Sequence, residues 1–274
     1  MRKWSSYHDI GTLQDKGESM KKWALLLLPP FAVQIAVLAL WYWLAAREVF
    51  PPTILVSPGA VLQLVADIWG TGELQEHLGW SLRRVAEGFS LGASAGFLLG
   101  LLVGVSPRLE RWIGPSLDVF KQVPVFAWAP ALIVILGIDE ASKIAFIAIA
   151  CFYPLLQNTR QGVRGVQRKH LEVAQVYGLS RWKTVQRVVL PSSLPPILAG
   201  IRQSLALAWM AVVGAELLGA ESGVGFFMVF SRMLFQMDGV LAGILLVGVV
   251  GIVINGFLSL AEWILVPWAK EIAS

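Results

Sequence analysis

Gly92-x-Ser94-x-Gly96 is the spacing in this chain that most resembles reactive machinery. A serine between two glycines has the form of a nucleophile elbow, and acyl transfer from it needs a base within hydrogen-bond reach. All the histidines (His8, His77 and His170) fall outside the apolar runs, so no base accompanies the serine. The single cysteine, Cys151, lies in an apolar run; it rules out a disulfide within the chain and argues against a cysteine-based metal site. The sequence contains no G-x4-G-K-[ST] phosphate loop, no HExxH, no CxxC and no paired aspartates within an apolar run. An autonomous enzyme is therefore disfavoured, and catalytic, cofactor-binding and metal-binding residues are expected to be absent. Periodicity accounts for the glycines better. Gly88, Gly92, Gly96, Gly100 and Gly104 recur every four residues and fall on one helix face. Small residues at that spacing let a second helix approach the backbone closely inside a membrane.

The remaining polar groups near apolar runs are few. Asp118, Lys121 and Gln122 precede VPVFAWAPALIVILG, which contains Trp128, and Arg202, Gln203 and Glu216 sit in a later run. Lys121, Gln122, Trp128 and Glu216 are candidates for a pathway or gate. Polar groups near a span's end can line a pore or can snorkel to the interface, and both readings stand. For Glu216 the alternatives are a neighbouring outer gate or arginine, or an interfacial acid.

The elements that would position these residues follow from composition. The 274-residue chain is 56% hydrophobic and 15% charged, with a net charge of +4 and a mean hydropathy of +0.67. Soluble domains carry about 25% charged residues, so the class is an all-α polytopic membrane protein. A span needs about 20 apolar residues. Six are expected, over residues 23–46, 85–105, 117–138, 144–158, 197–218 and 240–266. Pro29-Pro30 should kink the first, and Pro124 and Pro130 should break the third. Between the first two spans, Val61, Leu64, Val65 and Ile68 recur at helical spacing with acids interspersed, which suits an amphipathic surface helix. Residues 219–238 also read as amphipathic. Residues 1–22 read as a cytoplasmic tail, 23–80 as the first span with an extracytoplasmic amphipathic segment, 81–268 as the core, and 269–274 as a terminal tail.

Residues 160–191 interrupt the apolar pattern. Seven of the 22 Lys and Arg residues lie between Arg160 and Arg187, against one acid, Glu172. Positively charged loops are rarely translocated, so this loop belongs to the cytoplasmic side. A basic N-terminus followed by six spans leads to the same side for the loop and for both termini. Arg83-Arg84 would then lie on the outer side, against the rule. Leu171, Ala174 and Val176 suit a short helix capped by Gly178; Ser180 suits the start of a second helix closed by Leu190-Pro191. Such a loop can simply set topology or touch anionic lipid. Its crude likeness to a helix-turn-helix DNA reader fails because both ends are tethered by apolar spans, so no nucleic acid is expected.

The spacing Glu172-x-Ala174-x3-Gly178, nine residues, then Val188-x-Leu190-Pro191 resembles the EAA loop of ABC-importer permeases. That family's pattern is E-A-A-x3-G-x9-I-x-L-P, from which this chain departs at Val173 and Val188. The runs SLRRVAEGF, YPLLQNTRQGV and LPSSLPPILAGIRQSLALAWMAVVGAELLGAESGVGF are similar to the nitrate/sulfonate/taurine branch. The resemblance implies a type I ABC importer permease fold in the cell inner membrane. It implies a homodimer, two ATPase subunits that bind ATP and Mg, and a periplasmic or lipid-anchored solute-binding protein. It assigns ATPase coupling to Glu172, Ala174, Gly178, Leu190 and Pro191, and suggests a small anion as solute. An ion-coupled secondary transporter is the alternative class; it commonly shows two similar halves, and no convincing internal repeat is visible here.

The topology is directly testable. In a Cys151→Ser background, Lys169→Cys should resist impermeant thiol reagents in intact cells; rapid labelling would overturn the six-span arrangement.

Overall fold

The computed structural model describes residues 32–51 and 54–265. Its described residues form helices joined by short turns, in two units, Met1–Ala60 and Val61–Ser274. In the first unit, α1 (Ala32–Ala46) buries no residue, and Trp41 Nε1 donates to the Val56 carbonyl at 2.9 Å. The beginning of the first expected span, with Pro29-Pro30, and both terminal tails lie outside the described residues.

The amphipathic segment is α2 (Pro58–Thr71), where Ser57 Oγ accepts from the Ala60 N–H at 3.3 Å. It stops at Gly72, whose φ of +85° suits a residue without Cβ. The next helix, α3 (Glu73–Val105), begins well before the expected Val85 because its first turns are amphipathic rather than apolar. After a break at Ser106, α4 (Pro107–Phe120) carries Arg108 and Arg111. A 3₁₀ turn, Val125–Trp128, then leads to α5 (Ala129–Leu136). The third expected span is thus a corner: its two limbs bend by 90°. Pro124 makes that corner, whereas Pro130 sits in the first turn of α5, where its missing N–H costs nothing.

The core is built on α6 (Glu140–Arg164). It extends beyond the expected residues 144–158 at both ends. The basic loop follows, with α7 (Arg168–Val176) and α8 (Arg181–Thr184), then a π turn over Val185–Val189 and α9 (Leu190–Leu217). Leu190-Pro191 was expected to close a helix and does not. The Leu190 N–H reaches back five residues to the Val185 carbonyl, and this wider turn accommodates the proline ring, so Arg181–Leu217 is one helical run. Finally α10 (Val224–Met233) and α11 (Met237–Leu265) form an antiparallel pair. Among the described residues four helices are long and apolar enough to cross a membrane, or five with the bent pair counted as one. The first expected span is described only from Ala32, so six remains an expectation.

The glycine face of α3 meets α6. Cβ atoms at Gly92 and Gly96 would collide with the Ala148 and Phe152 carbonyls, and one at Gly100 would lie 2.6 Å from the Leu156 carbonyl. Gly88 faces Ile147 and Gly104 faces Val163 in the same way. Ser94 is exposed, turned away from this seam. Beside this seam α6 also packs on α9, where Phe146, Ile147 and Cys151 share a buried cluster with Ala208, Trp209 and Val212. Ser204 Oγ donates to the Cys151 carbonyl at 2.8 Å, and Trp209 Nε1 to the Val247 carbonyl at 3.0 Å.

Gly96→Leu should therefore lower stability by about 1–3 kcal/mol or more through overpacking, read as an earlier thermal transition of the detergent-solubilised protein. Ser94→Ala should melt like the parent. Equal melting of both variants would remove the packing assignment.

Candidate functional site

The basic loop is rigidly shaped. Beyond α7 the Leu179 N–H bonds to the Ala174 carbonyl at 3.0 Å and the Gly178 N–H to the Gln175 carbonyl at 2.9 Å, with Gly178 at φ +62°. This is a Schellman cap, and the left-handed residue is the glycine that the sequence singled out. Ser180 Oγ then caps α8 by accepting from the Lys183 N–H. Ala174 is buried, while Val173, Val176, Tyr177 and Trp182 are exposed. Exposed apolar side chains thus stand along the loop among the exposed cations Arg168, Lys169, Arg181 and Lys183. Glu172 pairs with Arg168 at 3.2 Å on the surface. Pro191 is exposed at the start of α9, beyond the π turn.

The loop's base is clamped. Arg160 pairs with Glu110 and, at 3.2 Å, with Asp118, while Arg164 reaches Glu110 at 3.1 Å. These pairs join the end of α6 to α4. One turn beyond Asp118 comes Lys121, on the wall of a cavity of about 690 Å³. The cavity lies between α4 with its corner, α6 and α9, and is lined chiefly by apolar and aromatic side chains. Phe120, Phe126 and Trp128 come from the corner region, Tyr153 from α6 and Met210 from α9. Phe120 and Trp128 stack at 5.7 Å, and Lys121 Nζ lies 5.6 Å from the Tyr153 ring centre. Of the candidate pathway residues, Lys121 and Trp128 meet here. Gln122 is exposed beside the cavity without lining it, and Glu216 lies elsewhere.

Glu216 belongs to a buried ion cluster. Arg84 Nη1 donates to Glu216 Oε1 at 2.8 Å, while its Nε and Nη2 hold both Glu140 oxygens at 2.7 and 2.8 Å. The remaining guanidinium donors reach the Ser222 carbonyl and Oγ at 2.7 and 2.8 Å. Glu216 also accepts from Ser81 Oγ and, at 2.8 Å, from the Gly225 N–H. The cluster binds α3, α6, α9 and the turn before α10. Of the readings open for Glu216, the structure has the neighbouring arginine. It also accounts for the two arginines expected on the outer side against the charge rule: Arg84 pairs with two acids, and Arg83 with Glu87 at 2.7 Å. Arg84, Glu140, Ser81 and Ser222 were missed from sequence. The available signal was phase, because Ser81 and Arg84 lie on the helix face that continues into Gly88 and Gly92.

Residues 93–262 match the family described as binding-protein-dependent transport system inner membrane component. The chain belongs to that family. It is 40% identical over 246 residues to a Bacillus subtilis protein named as an aliphatic sulfonates transport permease, SsuC, covering 90% of this chain and 87% of the relative. It is 31% identical to the Escherichia coli taurine transport system permease protein TauC, covering 92% of this chain and 94% of that one. A solved amino acid ABC transporter shares the fold, with a TM-score of 0.61 at 14% identity, over 72% of this chain and 96% of that chain. The family match decides between the two transport classes considered above: this is an ABC transporter permease, an inner membrane component with the importer permease fold.

Removing one partner from a buried ion pair costs about 3–5 kcal/mol, whereas replacing both by apolar groups is often neutral. In the permease, Arg84→Met should therefore lose stability by that order, and Arg84→Met/Glu216→Met should recover most of it. Chemical denaturation of the solubilised variants measures this, and a single variant as stable as the parent would refute the cluster's structural role.

Proposed function

We propose that two copies of this permease form the translocation path of an importer. In this reading the 160–191 loop of each copy docks on a separate ATPase subunit that binds ATP and Mg. An extracytoplasmic solute-binding protein delivers the solute. The observation that carries the reading is the loop's construction: a capped helix pair with exposed apolar side chains, continuous with α9 and joined to α6 by a three-residue turn.

Motion of the loop has two routes inward. On one side it continues through the π turn into α9, which carries Leu207 and Met210 to the cavity. On the other it follows α6, whose Arg160 and Arg164 hold Glu110 of α4. A push by a closing ATPase would thus shift α9 and α4 together and change the cavity walls. The ion cluster at the other end of α6 and α9 would hold those helices while their loop ends move. In this scheme hydrolysis belongs to the partner, and Glu172, Ala174, Gly178, Leu190 and Pro191 serve the docking joint. Ala174 and the π turn give the joint its shape, while the exposed side chains meet the partner.

The solute follows from what the relatives are named for. SsuC is named for aliphatic sulfonates, TauC for taurine, and a Synechocystis relative, 28% identical over 250 residues, for bicarbonate. An acid group ionised at neutral pH is common to all three. We therefore assign this permease a small anion of the sulfonate class.

Gly178 has no atom within 4 Å of where a Cβ would stand, so only its positive φ restricts substitution. Gly178→Val should strain the cap by about 1 kcal/mol or more, whereas Gly178→Asn should be tolerated. Gly178→Val and Glu172→Lys should leave an inserted, folded permease that binds its ATPase poorly or fails to couple hydrolysis to uptake. Pull-down of the ATPase and solute-stimulated hydrolysis in proteoliposomes decide this. Normal assembly and coupling in both variants would end the docking assignment.

A further inference from the structure

We propose that the cavity between α4, α6 and α9 is a solute subsite of the permease itself, holding an organic anion with its charged head on Lys121 and a short apolar tail along the cavity wall. The inference rests on the importer reading above and adds a selecting role for the membrane subunit.

Charge bookkeeping around the cavity leads to this assignment. Lys121 is the charged residue among those lining it. The nearby acids are already engaged, Glu110 with Arg160 and Arg164, and Asp118 with Arg160. Among the described residues Lys121 makes no ion pair, and its ammonium lies over the face of Tyr153. Lys121 is exposed on an otherwise apolar wall, so its ammonium is open to an anion entering the cavity. A passing solute anion supplies the countercharge. The lysine presents a compact point charge on a flexible stem, which suits an anion that must also leave.

The walls determine the rest of the solute. The cavity's volume, about 690 Å³, lies in the range of small-molecule sites, about 300–1,000 Å³. Phe126, Trp128, Leu207 and Met210 offer apolar surface, and the Tyr153 hydroxyl is engaged with Gln157 Oε1 at 3.3 Å. A small, strongly hydrated anion such as bicarbonate would lose water here and find few donors in exchange. An alkanesulfonate carries a weakly basic head and regains free energy by burying its tail. The wall therefore favours an anion with a tail over one without.

The test uses the permease–ATPase complex in nanodiscs, without a binding protein, and radiolabelled 1-hexanesulfonate as probe, with empty nanodiscs subtracted. Saturable binding is expected, with affinity rising about fourfold per methylene from ethane- through butane- to hexanesulfonate. Lys121→Met should weaken binding about tenfold or more, as expected for loss of a charged partner, while Lys121→Arg should largely restore it. Trp128→Ala should flatten the dependence on tail length, and hexyltrimethylammonium should not compete. The subsite is refuted if the parent shows no saturable binding, if Lys121→Met binds as the parent does, or if tail length has no effect. Recruitment of the ATPase and ATP hydrolysis are measured in the same samples. A parent complex that hydrolyses ATP but binds no hexanesulfonate loses the subsite alone. A chain that recruits no ATPase loses the importer reading and the subsite with it.

Discussion

The approach of α3 to α6, backbone against backbone, is the constraint on which the rest of the molecule depends. Within a bilayer, lipid tails are as apolar as leucine, so helices gain little by hiding apolar side chains from them. Close packing must hold them instead, and the Ala148, Phe152 and Leu156 carbonyls fill the space that Cβ atoms on α3 would occupy. This seam fixes α6, which also packs on α9 through a cluster of Phe146, Ile147 and Cys151 with Ala208, Trp209 and Val212. With both relationships set, the cavity wall, the clamp on α4 and the two ends of the basic loop have defined positions.

Charges in the membrane subunit are of two kinds. Those in the Arg84 cluster are closed: two carboxylates, one guanidinium, the Lys143 ammonium, two serines and neighbouring backbone groups satisfy one another. Breaking a closed set leaves an uncompensated buried charge, so the cluster acts as a joint that keeps four elements together. Lys121 is open. It has an aromatic ring beside it and an apolar cavity in front, and among the described residues it makes no ion pair. The Arg160–Glu110 pair stands between these extremes, joining the loop's base to the helix that leads to Lys121.

Much of this was legible in the sequence, for identifiable reasons. The glycine repeat is a local pattern with one physical meaning in an apolar helix, and the seam follows it. Gly178 was legible because a left-handed cap needs a residue without Cβ, and Ser180 because a helix start needs an acceptor. What remained hidden depends on pairing between distant segments. Arg84, Glu140 and Glu216 lie on three helices, and no local spacing joins them. The corner at Pro124 was read as a break in a straight span, because a proline marks a bend without giving its angle. Leu190-Pro191 was read as a stop since a proline usually ends a helix; the preceding π turn changes the outcome, and neighbouring residues do not announce it.

That π turn has a geometrical consequence. An α-helix advances about 100° per residue, so the direction of every side chain on a continuous helix is tied to the one before it. A five-residue reach from Leu190 to Val185 takes in one residue more than the α ladder and resets the angular phase between the two sides. Trp182 and the cavity face at Leu207 and Met210 are therefore oriented by separate parts of one rod, and the direction of the first is not tied to the second by an unbroken α ladder.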